Sequence, residues 1–160
     1  MIELNFIPIK GELNIDGLPL KIDTEEGFCK CDLYHELVKH RAIKKIMPNH
    51  YLIDSVAFFD REFQVTIRPV CYGFPFMLHL VDKNSQYYNA LNDWNTRTNI
   101  RMLNESVKSL SEWLKESLNL DTPDTTETDI IRWNFAWGRV SVSYETKSFN
   151  HGVYVVWNIT

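Results

Sequence analysis

Phe28 to His40, "FCKCDLYHELVKH", gathers two of the three cysteines and two of the five histidines of a 160-residue chain. Thiols and imidazoles at short spacing could ligate zinc, and a thiol beside an imidazole could act as a nucleophile. The spacing argues against the metal. Structural zinc sites pair their ligands as C-x2–4-C and H-x3–5-H, with a turn bringing the pairs together. Here one residue separates Cys29 from Cys31, and all four groups lie in one continuous stretch. On a helix Cys31 and His35 share a face, but His35 and His40 lie about 140° apart around the axis. The residues therefore read as buried cysteines at a helix start and histidines on its polar flank, with no metal and no cofactor. Cys31 at the helix start could serve as a nucleophile, yet no oxyanion-hole motif or third member accompanies it. His35, His40, His50, His79 and His151 could supply an acid–base pair, but spacing singles out none. There is no P-loop and no G-x-G-x-x-G. No catalytic residue is assigned.

Two other stretches carry chemistry of a binding kind. "NLDTPDTTETD" places Asp121, Asp124, Glu127 and Asp129 in a run without a basic residue. With Glu25 and Glu26 it offers carboxylates to a basic partner, where charge speeds association more than it deepens affinity. "IRWNFAWGRVSVSY" carries Trp133, Phe135 and Trp137, either half-buried sheet residues, anchors for a protein partner, or a stacking platform for a single-stranded nucleic acid. The basic run Lys39–Lys45 reads as a helix end complementing its dipole.

Composition narrows the classes. A net charge of −4 supplies no general footprint for nucleic acid or a membrane surface. At 44% hydrophobic and 24% charged residues, the chain can bury a core without staples. Three cysteines close no disulfide framework. "MIELNFIPIKGELN" lacks the build of a signal peptide, and "VCYGFPFMLHLV" is too short to span a bilayer. A cytoplasmic location is expected.

The elements that position these groups follow from periodicity. "ELNIDGLPLKI" predicts a hairpin turning at Asp16-Gly17, with Ile15 opposite Leu18, Asn14 opposite Pro19, and Pro19 at a sheet edge. Residues 32–47 predict a helix capped by Asp32, with Leu33, Leu37, Ala42, Ile43 and Ile46 as its apolar stripe. "YLIDSVAFFDREFQVTIRPV" predicts a hairpin pairing residue 59 with 62, and "FPFMLHLVD" a third strand. "NSQYYNALNDW" predicts a short helix burying Tyr87, Leu91 and Trp94. From 98 to 118, Ile100, Leu103, Val107, Leu110, Leu114 and Leu118 step at helical spacing and predict one long amphipathic helix. Residues 119–129 read as a linker-like loop. Val140, Val142, Tyr144 and then Val153, Val155, Trp157, Ile159 alternate in a closing pair of strands. The sum is one α+β domain over 1–160, with a mainly antiparallel sheet of about six to eight strands and two to three helices.

The closing strands, "WGRVSVSYETKSFNHGVYVVW", with the preceding "SLSEWLKESLNL" helix and the acidic run, resemble immunity proteins of bacterial contact-dependent growth inhibition and related polymorphic toxin systems. The resemblance is architectural and covers the last third of the chain, so it assigns no residue roles. It implies a non-enzymatic inhibitor that binds one cognate toxin, commonly a nuclease. Such a toxin needs positive charge around its active site. The residues expected to meet it are Glu25, Glu26, Asp121, Asp124, Glu127 and Asp129, with Trp133 and Trp137 as anchors. The alternatives are a single-stranded nucleic-acid binder on the aromatic sheet and a small metal-free hydrolase or ribonuclease.

Overall fold

Asp16 and Gly17 turn the first hairpin with positive φ at both residues, 50° and 78°. This is the requirement of a type I′ turn. The computed structural model describes residues 1–89, 93–145, 147–148 and 150–159. In it β1 (Leu4–Ile7), β2 (Glu12–Ile15) and β3 (Leu18–Pro19) form a three-stranded sheet in that order. The expected register holds: Ile15 pairs with Leu18 and Asn14 with Pro19, and β3 is an edge strand.

Two short helices follow, α1 (Glu25–Cys29) and α2 (Asp32–Lys39). Here the structure corrects the sequence reading: the helix over 32–47 stops at Lys39, and Ile43–Met47 is strand β4. Arg41 turns left-handed at φ 55°. The Ala42 and Arg41 amides then close back onto the Leu37 and Val38 carbonyls at 2.8 and 3.0 Å. That is a Schellman closure with arginine where glycine is usual, so no sequence breaker announces it. The cap is Cys31, whose Sγ accepts from the Tyr34 amide at 3.4 Å, rather than Asp32. Leu33 and Leu37 are buried as expected, while Ile46 lies 48% exposed on the edge strand.

The main sheet has eight strands, all antiparallel. β5 (His50–Phe58), β6 (Arg61–Arg68) and β7 (Met77–Asp82) make the expected meander. Its hairpin pairs Phe58 with Arg61 rather than residue 59 with 62, and a bulge lies between Ile53 and Val56. Because the partner of Phe58 moves by an even number of residues, no side chain changes face. Phe58, Phe63, Val56 and Val65 are all buried.

After β7 the chain leaves the sheet through α3 (Gln86–Asn89), α4 (Trp94–Arg97) and α5 (Ile100–Leu118). The single helix expected over 84–94 is thus two pieces, Trp94 is 61% exposed, and Leu91 lies outside the described residues. The expected long helix is present as α5, capped by Asn99 at one end and by left-handed Asn119 at the other, but Ile100, expected on its apolar stripe, is 44% exposed. Leu103, Val107, Leu110 and Leu114 are buried. The chain then adds β8 (Thr125–Thr126), β9 (Ile130–Phe135), β10 (Gly138–Tyr144) and β11 (His151–Trp157), the last pairing with β7. Ile159, expected on that strand, lies beyond it and is 53% exposed. Across the sheet the order is β4-β5-β6-β7-β11-β10-β9-β8.

One core lies between one face of this sheet and everything packed on it. Phe63, Leu78, Val140 and Val155 from the sheet meet Leu13 and Ile15 of the small sheet, Phe28 and Leu33 of the first helices, and Leu110 and Leu114 of α5. Burying each such side chain contributes about 1.5–3 kcal/mol. No helix among the described residues is long and apolar enough to cross a membrane.

Candidate functional site

The cysteine–histidine stretch folds so that its four groups serve four separate contacts. The chain breaks between α1 and α2, leaving Cys29 at the end of one helix and Cys31 at the start of the next. Cys29 Sγ shares a hydrogen bond of 3.1 Å with Tyr51 Oη. His35 Nε2 donates to the Cys29 carbonyl at 3.1 Å, and His40 faces Glu36 at 3.4 Å. Burial and then the Cys29 neighbour push the Tyr51 phenol above its ordinary pKa. Among the described residues no group of three His, Cys, Asp or Glu is placed to hold a metal ion.

The carboxylates divide by position. Glu25 accepts from Lys45 Nζ at 3.1 Å and from the Asn49 amide at 2.9 Å, which ties it to β4. Glu26 is paired with Lys30 at 2.9 Å. Asp121, Asp124, Glu127 and Asp129 flank β8, the opposite edge of the sheet. Seven strand spacings separate the two edges, roughly 34 Å. A standard interface covers about 800 Å² per partner, a patch roughly 30 Å across, so one centred on β8 stops short of Glu25 and Glu26. The six acids do not form one surface.

The β8 acids are held in place by the backbone. The Asp124 amide donates to the Arg132 carbonyl at 2.9 Å, the Glu127 amide to Ile130 at 2.9 Å, and the Tyr144 amide to Asp129 at 3.2 Å. Asp124 Oδ2 accepts from the Asn134 amide at 2.7 Å. The segment that reads as a linker is therefore the pinned rim of the sheet. Among the described residues, none of these four carboxylates has a cationic partner within 4.0 Å. Asp129 shows its field nearby: burial chiefly, and then this carboxylate, raise the Tyr144 phenol pKa.

Beside this rim runs a groove of about 690 Å³ between α5 and the β8–β9 edge, with Val107, Ser111, Pro123, Ile131 and Trp133 among its walls. Sequence reasoning missed the α5 side of it. The signal was Ser111, a small residue beside the apolar stripe; it is 6% exposed and its hydroxyl is turned back onto the Lys108 carbonyl at 2.9 Å.

Of the two tryptophans proposed as anchors, Trp133 forms part of the groove wall and Trp137 does not line it. Trp133 is 3% exposed and its indole donates to the Asp121 carbonyl at 2.8 Å, so it supports the acidic rim from below. Trp137 donates to the Pro8 carbonyl at 2.7 Å, stacks on Phe135 at 5.4 Å and meets Phe6 edge-on. Trp133 and Phe135 thus lie on the packed side of β9, with Trp137 in the turn beyond it, while the opposite side carries Arg132 and Asn134. A Cβ at Gly11 would overlap the Trp137 indole, and Gly11 also sits at φ 67°. Gly11→Ala is expected to cost about 1–3 kcal/mol, read as a lower urea midpoint. An unchanged midpoint would mean that Trp137 is not packed there.

Two histidines differ from the rest. His79 Nε2 donates to the His151 carbonyl at 3.0 Å, and its ring stacks on Tyr154 at 4.3 Å. Burial pushes His79 down to about 4, opposed by that hydrogen bond. Burial, with His79 adding to it and Asp82 opposing, pushes His151 down to about 4. The unfolded imidazoles bind protons near 6.5. Stability is therefore full above pH about 6.5 and falls as pH drops toward about 4, by up to about 1.4 kcal/mol per pH unit for each imidazole. Urea midpoints across the upper half of that window should slope upward with pH, and less steeply in His79→Gln. A flat profile would place these rings in water. Comparison with protein-family models, with curated proteins and with solved structures finds no match.

Proposed function

We propose that the chain is a non-enzymatic binding protein that docks a basic protein along the β8 edge and the α5 groove and occludes that partner's surface. The observation that carries this reading is the coincidence of a free sheet edge, four carboxylates that make no ion pair among the described residues and are held by backbone bonds, and a groove beside them with apolar walls. Charge would draw a basic partner in, and the groove would take an apolar or aromatic side chain from it. With only Thr125 and Thr126 in β8, strand addition could contribute few ladder bonds, so side chains would dominate the contact. The role fits the resemblance to immunity proteins, with a toxin domain, commonly a nuclease, as the partner. Rescue tests it. In cells made to express a basic toxic domain that the chain captures, co-expression of the chain should restore growth, and the chain with its four β8 acids neutralised should not. Equal rescue by both would remove the β8 edge from the interface.

A further inference from the structure

At the end of the main sheet where β5, β7 and β10 begin, large apolar side chains stand in solvent. Ile9, Met47, Tyr72, Phe74 and Ile159 are each more than half exposed, Ile9 at 80% and Tyr72 at 97%. A lone exposed side chain of this kind is ordinary, but a set of them at one end of a molecule marks an interaction surface. Hydrogen bonds join the segments that carry them. Asn49 Nδ2 donates to the Pro69 carbonyl at 2.6 Å, next to the Tyr72 turn. The Trp157 amide donates to the Phe76 carbonyl at 3.0 Å and the Asn158 amide to the Trp137 carbonyl at 2.8 Å. The Trp137 and Trp157 indoles in turn hold the carbonyls of Pro8 and Gly11, on either side of Ile9.

The Tyr72 turn is built against the preference of its residue. Cys71 and Phe74 exchange backbone hydrogen bonds at 2.8 and 3.2 Å, and Tyr72 and Gly73 both take positive φ, 46° and 83°. A two-residue turn of this type prefers asparagine, aspartate or glycine at its first corner. Tyrosine there is strained, and its ring, almost wholly in solvent, gains no packing that would offset the strain.

Charge is segregated to match. Lys10, Arg68 and Arg139 lie on or beside these segments, and the Asp23 carbonyl, accepting from the Val70 amide at 3.0 Å, brings Lys21 alongside. Among the described residues none of these four cations has a carboxylate within 4.0 Å. The carboxylates at this end are Glu12, Asp23 and Glu25. Glu25 is held by Lys45, and Asp23 Oδ1 accepts from the Thr24 amide at 2.7 Å. The β8 acids border one corner only. A net charge of −4 thus conceals an end with more cations than anions.

We propose that this end docks on an anionic lipid bilayer as a peripheral contact, with the five apolar side chains at the headgroup boundary and the lysines and arginines on the anionic headgroups. Tyrosine suits that boundary, because its apolar ring and polar hydroxyl belong on its two sides. Cations close to the surface strengthen the attachment. A protein partner fits less well. The five side chains project from four separate segments, so a protein would need several matched pockets, whereas lipid deforms around them. Nucleic acid would use the cations and leave the apolar side chains in water. The inference is independent of the β8 reading, since the residues differ and the two surfaces carry opposite charge.

The test is co-sedimentation of the full chain with vesicles of phosphatidylcholine alone and of phosphatidylcholine mixed with phosphatidylserine. The expected result is salt-sensitive retention on the mixed vesicles and little on phosphatidylcholine. Tyr72→Asn with Phe74→Ser should weaken that retention by roughly 10-fold or more, through the loss of two aromatic side chains from the boundary. Asparagine suits the backbone at position 72, so folding should survive, and a melting temperature no lower than the parent's checks it. Lys21→Gln with Arg139→Gln should remove most of the preference for phosphatidylserine. Equal retention on both vesicles, or retention that survives both double variants, would overturn the proposal. So would the absence of retention on either vesicle, even if Tyr72→Asn with Phe74→Ser released a captured protein, because this end would then serve a protein contact.

Discussion

Replacing Asp121, Asp124, Glu127 and Asp129 by their amides is expected to slow association with the basic partner by roughly 10- to 100-fold at low ionic strength. Its salt dependence should flatten as well, with dissociation changing less. The four side chains lose no ion pair on substitution, because among the described residues they make none. Asparagine at 124 keeps an oxygen for the Asn134 amide. The fold should survive while the field disappears: four charges removed from a chain of net −4 leave it formally neutral. Stopped-flow association at several salt concentrations reads the slope directly, and an unchanged slope would contradict a role for the acids. Glu25 and Glu26 provide the contrast. Each is already paired with a lysine, and they stand at the far edge of the sheet, so their amides should leave association within a factor of about two.

Trp133→Ala is expected to cost about 3–5 kcal/mol of folding stability. For a chain of this length each kcal/mol is worth roughly 2–4 °C, so the melting temperature should fall by roughly 6–20 °C. The side chain is 3% exposed, and its indole bonds the carbonyl of Asp121 at the start of the acidic rim. Truncation therefore opens a cavity beneath the very residues proposed to meet the partner. Trp133→Phe keeps most of the volume, should lose less, and should still bind. Calorimetric melting and binding measured on both variants separate packing from contact. A Trp133→Ala protein that melts normally yet fails to bind would restore Trp133 as an anchor.

The sequence was most legible where local chemistry and tertiary packing agree. Asp16-Gly17 specified its turn and register unaided, and the α5 stripe from Leu103 to Leu114 marked a buried helix face. It misled where a residue took a backbone conformation its type does not advertise. Arg41 in the left-handed region ends α2 without glycine or proline, and the helical spacing of Ala42, Ile43 and Ile46 then reads straight through an edge strand. Phe59 at φ 55° and the bulge near Asp54 shift the β5–β6 pairing in the same silent way. For the candidate site, composition exposed the acidic run but could not place it. Whether Glu25, Glu26 and the 121–129 acids share a surface depends on sheet order, and β4 and β8 became opposite edges only because β11 returns to pair with β7. Nor could alternation tell which side of β9 carries the core, so it left open that Trp133 is buried beneath the acidic rim.

The β8 account is tested most directly by hydrogen–deuterium exchange on the complex with the partner recovered in stoichiometric amount by the tagged chain. The account predicts a basic protein partner, with new protection confined to residues 121–134 and the groove side of α5. Protection instead at the Glu25–Lys45 edge, or recovery of nucleic acid with no protein, would contradict it.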